Sequence, residues 1–122
     1  EMQIDTIISS PARRAKETAK IIAKEVGFFE KNINYEIGLY HASLDIFIKV
    51  LSDQKKENLV MVGHNPGIQE FSYWLCSEPR INFPTCGAIL ISFNLQEWSE
   101  LNKYCGTIRS FEYPKMFYEE NI

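Results

Sequence analysis

Short apolar runs alternate with stretches of helical spacing along most of the chain. Residues 4–8 form a run rich in β-branched side chains that predicts a buried strand, and apolar residues then recur every three or four positions up to Val26. Gly27 is predicted to end that helix. The same succession of strand and helix returns twice, and two late strands follow. The predicted strands cover residues 4–8, 33–37, 59–62, 88–93 and 107–113, and the predicted helices cover residues 11–26, 42–51 and 66–76.

Strands that alternate with helices build parallel βαβ units. We therefore predict an α/β fold in the form of a three-layer α/β/α sandwich, with helices on both faces of an open, mostly parallel sheet. Ligands of such folds bind at the carboxyl ends of the strands. A length of 122 residues suits one domain. No repeat, low-complexity tract or linker divides the chain, so residues 1–122 are predicted to form a single domain.

Composition narrows the classes of partner. The formal net charge of -3 gives no general attraction to nucleic acid or to an anionic membrane surface, and the apolar runs are far shorter than the roughly 20 residues of a spanning helix. Cys76, Cys86 and Cys105 have no Cys-x-x-Cys spacing, which argues against a disulfide framework and against a zinc site. We therefore expect a cytoplasmic protein with no metal or cofactor and no nucleic-acid or membrane partner.

The first chemical motif lies where the first predicted strand gives way to a helix. Ser10 can accept hydrogen bonds from the first N–H groups of that helix, and Pro11 is predicted as its first residue. Arg14 lies one turn in, where a guanidinium can grip a phosphate through two parallel hydrogen bonds near the positive helix end. Arg14 is therefore predicted to bind phosphate. For this motif alone, a solvent-facing arginine like Arg13 stays an alternative.

The second motif repeats this arrangement at residues 62–67. A buried strand delivers His64 at its carboxyl end and Pro66 then begins a helix, so an imidazole and a positive helix end share one corner. Histidine can donate a hydrogen bond to a phosphoryl oxygen or exchange a proton near neutral pH. Taken alone, His64 could equally cap backbone groups at a strand end. The two motifs together indicate a site for phosphoryl transfer.

In this order the motifs resemble those of the histidine phosphatase (phosphoglycerate mutase-like) superfamily, and of its SixA group of small phosphohistidine phosphatases in particular. The first, Ser-Ser-Pro-x-x-Arg-Ala-x-x-Thr-Ala, occupies residues 9–19, and the second, Val-Gly-His-Asn-Pro, occupies residues 62–66. Residues 38–43 and 83–88 are also similar to patterns in that group. The resemblance covers nearly the whole chain and implies a phosphoglycerate mutase-like fold.

The resemblance also implies a mechanism. A histidine in an N-terminal Arg-His-Gly segment attacks the phosphoryl group in line, and water hydrolyses the resulting phosphohistidine. Arg14 matches the second phosphate-binding arginine of the family, and His64 matches the second active-site histidine, which stabilises the charge on the transferring group. The nucleophile and the first arginine have no counterpart in these residues. His41 does not follow a strand and has no adjacent Arg and Gly, so we do not predict it as the nucleophile.

The chain is accordingly predicted to be a fragment of a longer protein. The resemblance implies about forty further N-terminal residues, comparable to one βα unit, whose strand would occupy an interior place in the sheet. The parent protein is predicted to be a phosphatase. The 122-residue chain alone is predicted to be inactive.

The expected partner is phosphate or a phosphorylated substrate, with a histidine-phosphorylated protein favoured. Many members of the superfamily use Glu or Asp to protonate an alkoxide leaving group, and Glu36, Asp45 and Glu70 give no convincing candidate for that role. The imidazole of phosphohistidine leaves more readily than an alkoxide and needs less protonation by the enzyme. Two alternatives stay open, namely a non-catalytic module that binds phospholigands and a phosphatase of small phosphomonoesters.

Overall fold

The computed structural model describes residues 3–77 and 88–112. Strands and helices follow in the order β1 (Thr6–Ser9), α1 (Arg13–Val26), β2 (Asn34–Tyr35), α2 (Leu44–Ser52), β3 (Leu59–Val62), α3 (Gly67–Cys76), β4 (Ala88–Phe93) and β5 (Gly106–Glu112). Single-turn 3-10 helices lie at Glu30–Asn32, Ile37–Leu39 and Trp98–Glu100. This order confirms the predicted α/β class.

β1 is the middle strand of a parallel three-stranded sheet with the order β2-β1-β3. Its last residue, Ser9, lies opposite Tyr35 of β2 and opposite Val62 of β3. β4 and β5 form a separate antiparallel pair whose register shifts between Leu90 and Ile91. The parallel sheet is therefore confirmed for β1, β2 and β3, whereas the late strands pair as a hairpin.

Apolar side chains cover both faces of β1. Ile7 and Ile8 are fully buried and point to opposite faces, because side chains alternate along a strand. Ile7 belongs to a cluster with α1 residues, and Ile8 belongs to a cluster with α2 and α3 residues. The first cluster contains Ile7, Ala15, Ala19, Ala23, Ile33 and Val62. The second contains Ile8, Leu39, Ala42, Phe47, Leu51, Phe71, Leu75 and Cys76.

α1 begins later than the sequence predicted, at Arg13 rather than at Pro11. The hydroxyl of Ser10 accepts a hydrogen bond from the Ala12 N–H at 3.2 Å, which stabilises a turn before the helix. The N–H of Lys16 then donates to the Ala12 carbonyl at 2.8 Å and closes the first helical turn. The prediction that Ser10 caps the helix is therefore wrong, because its hydroxyl stabilises the preceding turn.

The predicted end of α1 is confirmed. Gly27 adopts a left-handed conformation with a φ of 75°, which only glycine adopts without steric cost. The N–H of Phe28 donates to the Ala23 carbonyl at 2.8 Å, as in the usual glycine-terminated helix end.

The strand predicted at residues 33–37 is shorter in the structure, where β2 covers only Asn34–Tyr35. The N–H of Glu36 still donates to the Ser9 carbonyl at 2.8 Å, and the chain then turns into a 3-10 helix. Ile37 is 79% exposed whereas Leu39 is fully buried. The alternation of apolar residues in the sequence therefore extends beyond the end of β2 and into the following turn.

Two glycines let the segment between β3 and α3 lie directly on Phe47. A Cβ atom at Gly63 would lie 2.7 Å from the Phe47 ring, and one at Gly67 would collide with the carbonyl oxygen of Ala42. Real Cβ atoms do not approach so closely in packed interiors. Phe47 is itself fully buried in α2, so it forms a rigid support for the segment that carries His64.

Candidate active site

The two sequence motifs meet at one edge of the parallel sheet. β1 ends at Ser9 and β3 ends at Val62, and these residues are opposite each other in the ladder. Beyond the ladder, the N–H of Ser10 donates to the Val62 carbonyl at 3.0 Å. The carboxyl ends of β1 and β3 therefore lie side by side, at the position where α/β folds bind ligands.

A hydrogen bond joins the motifs through their side chains. His64 Nε2 lies 2.9 Å from Ser10 Oγ. Ser10 is fully buried, and His64 is half-buried. The sequence placed both residues at strand ends but did not predict this bond, because it depends on β1 and β3 being neighbours in the sheet.

The bond to Ser10 fixes the orientation of the His64 ring. Because Ser10 Oγ already accepts the Ala12 N–H, it can donate its own hydrogen to an unprotonated Nε2, or accept one from a protonated Nε2. Nδ1 of His64 has no hydrogen-bond partner within residues 3–77 and 88–112. A nitrogen without a partner in this part of the chain can donate a hydrogen bond to a ligand.

Arg14 is the second residue of α1, directly after the turn that Ser10 stabilises. Its side chain is exposed, and its guanidinium makes no hydrogen bond or ion pair with the described residues. The structure thus brings the elements that carry Arg14 and His64 together through Ser10, and no hydrogen bond joins the two side chains. Their convergence on one phosphate stays a prediction.

The start of α1 is open to an anion. Ala12, which precedes the helix, provides no side-chain cap, and the first turn contains no acidic residue. Among the described residues, the N–H groups of Arg13, Arg14 and Ala15 have no partner, since the first helical bond is donated by Lys16. Such N–H groups and the positive end of the helix dipole attract negative charge.

The structure also brings His41, which the sequence analysis left outside the site, close to His64. The centroids of the two imidazole rings are 6.3 Å apart. The Tyr40 ring lies beside both, at 4.6 Å from His41 and 6.2 Å from His64. The only sequence signal for this loop was the resemblance of residues 38–43 to the SixA group.

Within the described part of the chain, the three candidate carboxylates form no hydrogen bond or ion pair with either imidazole. Glu36 follows β2 and is held near Ser9 by its backbone N–H. Asp45 is exposed in the first turn of α2, and Glu70 is exposed in α3. Residues 83–87 of the other resembling stretch lie outside the described residues.

Residues 3–77 and 88–112 contain neither a cluster of metal ligands nor a membrane-spanning helix. These residues contain no group of three or more His, Cys, Asp or Glu side chains placed to hold a metal ion. None of their helices combines the length and the apolar character needed to cross a membrane.

One solved structure provides a comparison for this arrangement. It is a candidate phosphohistidine phosphatase, SixA, from Nakamurella multipartitia, and it matches with a TM-score of 0.75 and 16% sequence identity over 93% of this chain and 72% of that one. The chain shares that fold. At this sequence identity the likeness is one of fold. No protein-family model and no curated protein matches the chain.

Proposed function

We propose that the protein containing this chain is a phosphatase that removes phosphoryl groups from phosphohistidine through a phosphohistidine intermediate on the enzyme. The observation that carries the proposal is the 2.9 Å contact between Ser10 and His64. It joins the two motifs at the carboxyl ends of β1 and β3, beside the open start of α1 and Arg14. The fold of the SixA structure provides independent support.

In this proposal, His64 and Arg14 hold the phosphoryl group. Nδ1 of His64 donates a hydrogen bond to one oxygen, and the Arg14 guanidinium donates two parallel hydrogen bonds to others. A histidine outside these residues forms a nitrogen–phosphorus bond as the bond to the substrate nitrogen breaks. Water then attacks the phosphorus and releases inorganic phosphate and the free histidine.

The free edge of β3 offers a place for the strand that would carry this nucleophile. β3 pairs with β1 on one side, and on its other side it has no strand partner among the described residues. A parallel strand added there would extend the sheet and place its carboxyl end beside that of β3, which directly precedes the His64 segment. We propose that the complete protein forms a three-layer α/β/α sandwich in a single domain. The isolated chain is proposed to be inactive. A cytoplasmic location stays a prediction from the cysteine pattern.

Replacement of Arg14 tests the proposal. We expect Arg14→Ala to lower kcat/KM of the full-length protein for a phosphohistidine peptide by about 10²-fold, because it removes donors from the phosphoryl oxygens. The matched control is Arg13→Ala, because the Arg13 side chain is 92% exposed and, among the described residues, its ion pair is with Glu17, at 3.4 Å. Arg13→Ala is expected to change kcat/KM by less than about twofold. Equal losses in the two variants would contradict the assignment of Arg14.

The same assay separates the alternatives. Turnover by the full-length protein but not by residues 1–122 is expected for a phosphatase whose nucleophile precedes this chain. Binding of the phosphopeptide without turnover by either protein would favour a non-catalytic phospholigand module. Faster hydrolysis of small phosphomonoesters than of phosphohistidine peptides would favour a phosphatase of small phosphomonoesters.

A further inference from the structure

His41 occupies a position in a tight turn where the backbone does not need an imidazole. The N–H of Ala42 donates to the Leu39 carbonyl at 3.3 Å, and the two residues between them are Tyr40, with φ -70° and ψ 112°, and His41, with φ 57°. These angles are those of a type II turn, whose third residue takes a positive φ and is usually glycine or asparagine. Glycine or asparagine could therefore form this turn without an imidazole.

Buried neighbours fix this turn so that its two central side chains project outward. Leu39 is fully buried and Ala42 is 9% exposed, whereas Tyr40 is 52% exposed and His41 is also exposed. Strained backbone held by buried neighbours is a feature of functional sites. The His41 ring makes no hydrogen bond or ion pair with the described residues, and its ring contacts are with Tyr40 and His64.

The two imidazoles are close enough for one ligand to contact both. Their centroids are 6.3 Å apart and their planes are inclined by 37°, and no hydrogen bond joins them. His64 is held from the buried side by Ser10. Ser10 is fully buried, whereas His41 is exposed. With its ring centroid 6.3 Å from that of His64, His41 is within reach of a leaving group attached to a phosphoryl group bound at His64.

We propose that His41 is a catalytic residue that donates a proton to the leaving group. This inference rests on the proposed phosphatase function. As the nucleophile forms its bond to phosphorus, the bond from phosphorus to the leaving atom breaks, and the electron pair goes to that atom, which takes a proton from the His41 imidazolium. Neutral His41 then takes a proton from the water that attacks the phosphohistidine. The proton donor is thus regenerated in each turnover.

Phosphomonoesters whose leaving groups differ in basicity test this role in the full-length protein. A proton donor matters most when the leaving group is a strong base, and it contributes about 10²–10⁴-fold where it is needed. We expect His41→Asn to lower kcat/KM about 100-fold for an alkyl phosphate and only a few-fold for p-nitrophenyl phosphate. Asparagine is the matched substitution because it tolerates a positive φ but cannot exchange a proton. Equal melting temperatures for variant and wild type show that the turn is retained.

Glu36→Gln is the control for a rival proton donor, since Glu36 is the partly buried carboxylate at the same edge of the sheet. Glu36→Gln is expected to leave kcat/KM unchanged for both the alkyl phosphate and p-nitrophenyl phosphate. The assignment of His41 is overturned if His41→Asn lowers both rates by the same factor, or if Glu36→Gln gives the loss that depends on the leaving group. A wild-type protein that hydrolyses a phosphohistidine peptide but no alkyl phosphate would overturn the assignment of His41 and leave the proposed function standing. One that hydrolyses none of these substrates would overturn the proposed function, and the assignment with it.

Discussion

Replacement of His64 by alanine is expected to lower kcat/KM of the full-length protein by about 10²–10³-fold, which is the usual cost of removing one preorganised donor to a charged transition state. His64 is positioned for this role before substrate binds, since Nε2 lies 2.9 Å from the buried Ser10 hydroxyl and Nδ1 is left for the ligand. The measurement is steady-state hydrolysis of a phosphohistidine peptide.

The His64 variant is expected to fold normally, because the ring is only half-buried. Unchanged circular dichroism and melting temperature would show this. Both His64→Ala and His41→Asn remove an imidazole from the same edge of the sheet, but only His64→Ala is expected to slow all substrates alike. A His64→Ala protein that retains activity within about threefold of wild type would contradict the assignment of this residue to transition-state stabilisation.

Replacement of Phe47 by alanine is expected to lower the free energy of unfolding by about 3–5 kcal/mol, the range for loss of a fully buried phenylalanine. Its ring stacks on Phe71 with a centroid distance of 5.3 Å. It also supports the glycine-flanked segment of His64, since a Cβ atom at Gly63 would lie 2.7 Å from it. The loss is a large part of the roughly 5–15 kcal/mol that stabilises a typical domain. Urea denaturation measures it.

Phe29→Ala is the matched control for this loss. Phe29 is 63% exposed, so its removal leaves no cavity and is expected to change the free energy of unfolding by less than about 0.5 kcal/mol. A cost below about 1 kcal/mol for Phe47→Ala would show that the core beside His64 is not packed as described.

Much of the fold could be predicted from hydrophobic periodicity. Residues 59–62 were predicted as a strand with the same bounds as β3, and the helices predicted at residues 42–51 and 66–76 lie within two residues of α2 and α3. α2 and α3 each bury one face, and β3 is a continuous apolar run. Hydrophobic periodicity detects both patterns well. The start of α1 and the bounds of β2 could not be predicted equally well. The start of α1 depends on the Ser10 hydroxyl, and β2 ends where the chain turns after Tyr35.

The site could be predicted only in part, because some of its contacts depend on how the elements are arranged in space. His64 and Ser10 follow apolar runs, so their place at strand ends could be predicted, but the bond between them depends on which strands are neighbours. His41 was missed because its turn has histidine where glycine or asparagine is the usual signal. Nothing local in the sequence indicates that this turn lies beside His64.

The central claim is that Arg14 and His64 hold the same phosphate. The most direct test is an NMR titration of the ¹⁵N-labelled protein with inorganic phosphate, following the Arg14 Nε signal and the His64 ring nitrogens. We predict that both sets of signals shift along one saturation curve with a single Kd, and that His64→Ala weakens the response at Arg14. Separate dissociation constants, or an Arg14 signal that does not respond while His64 does, would contradict the claim.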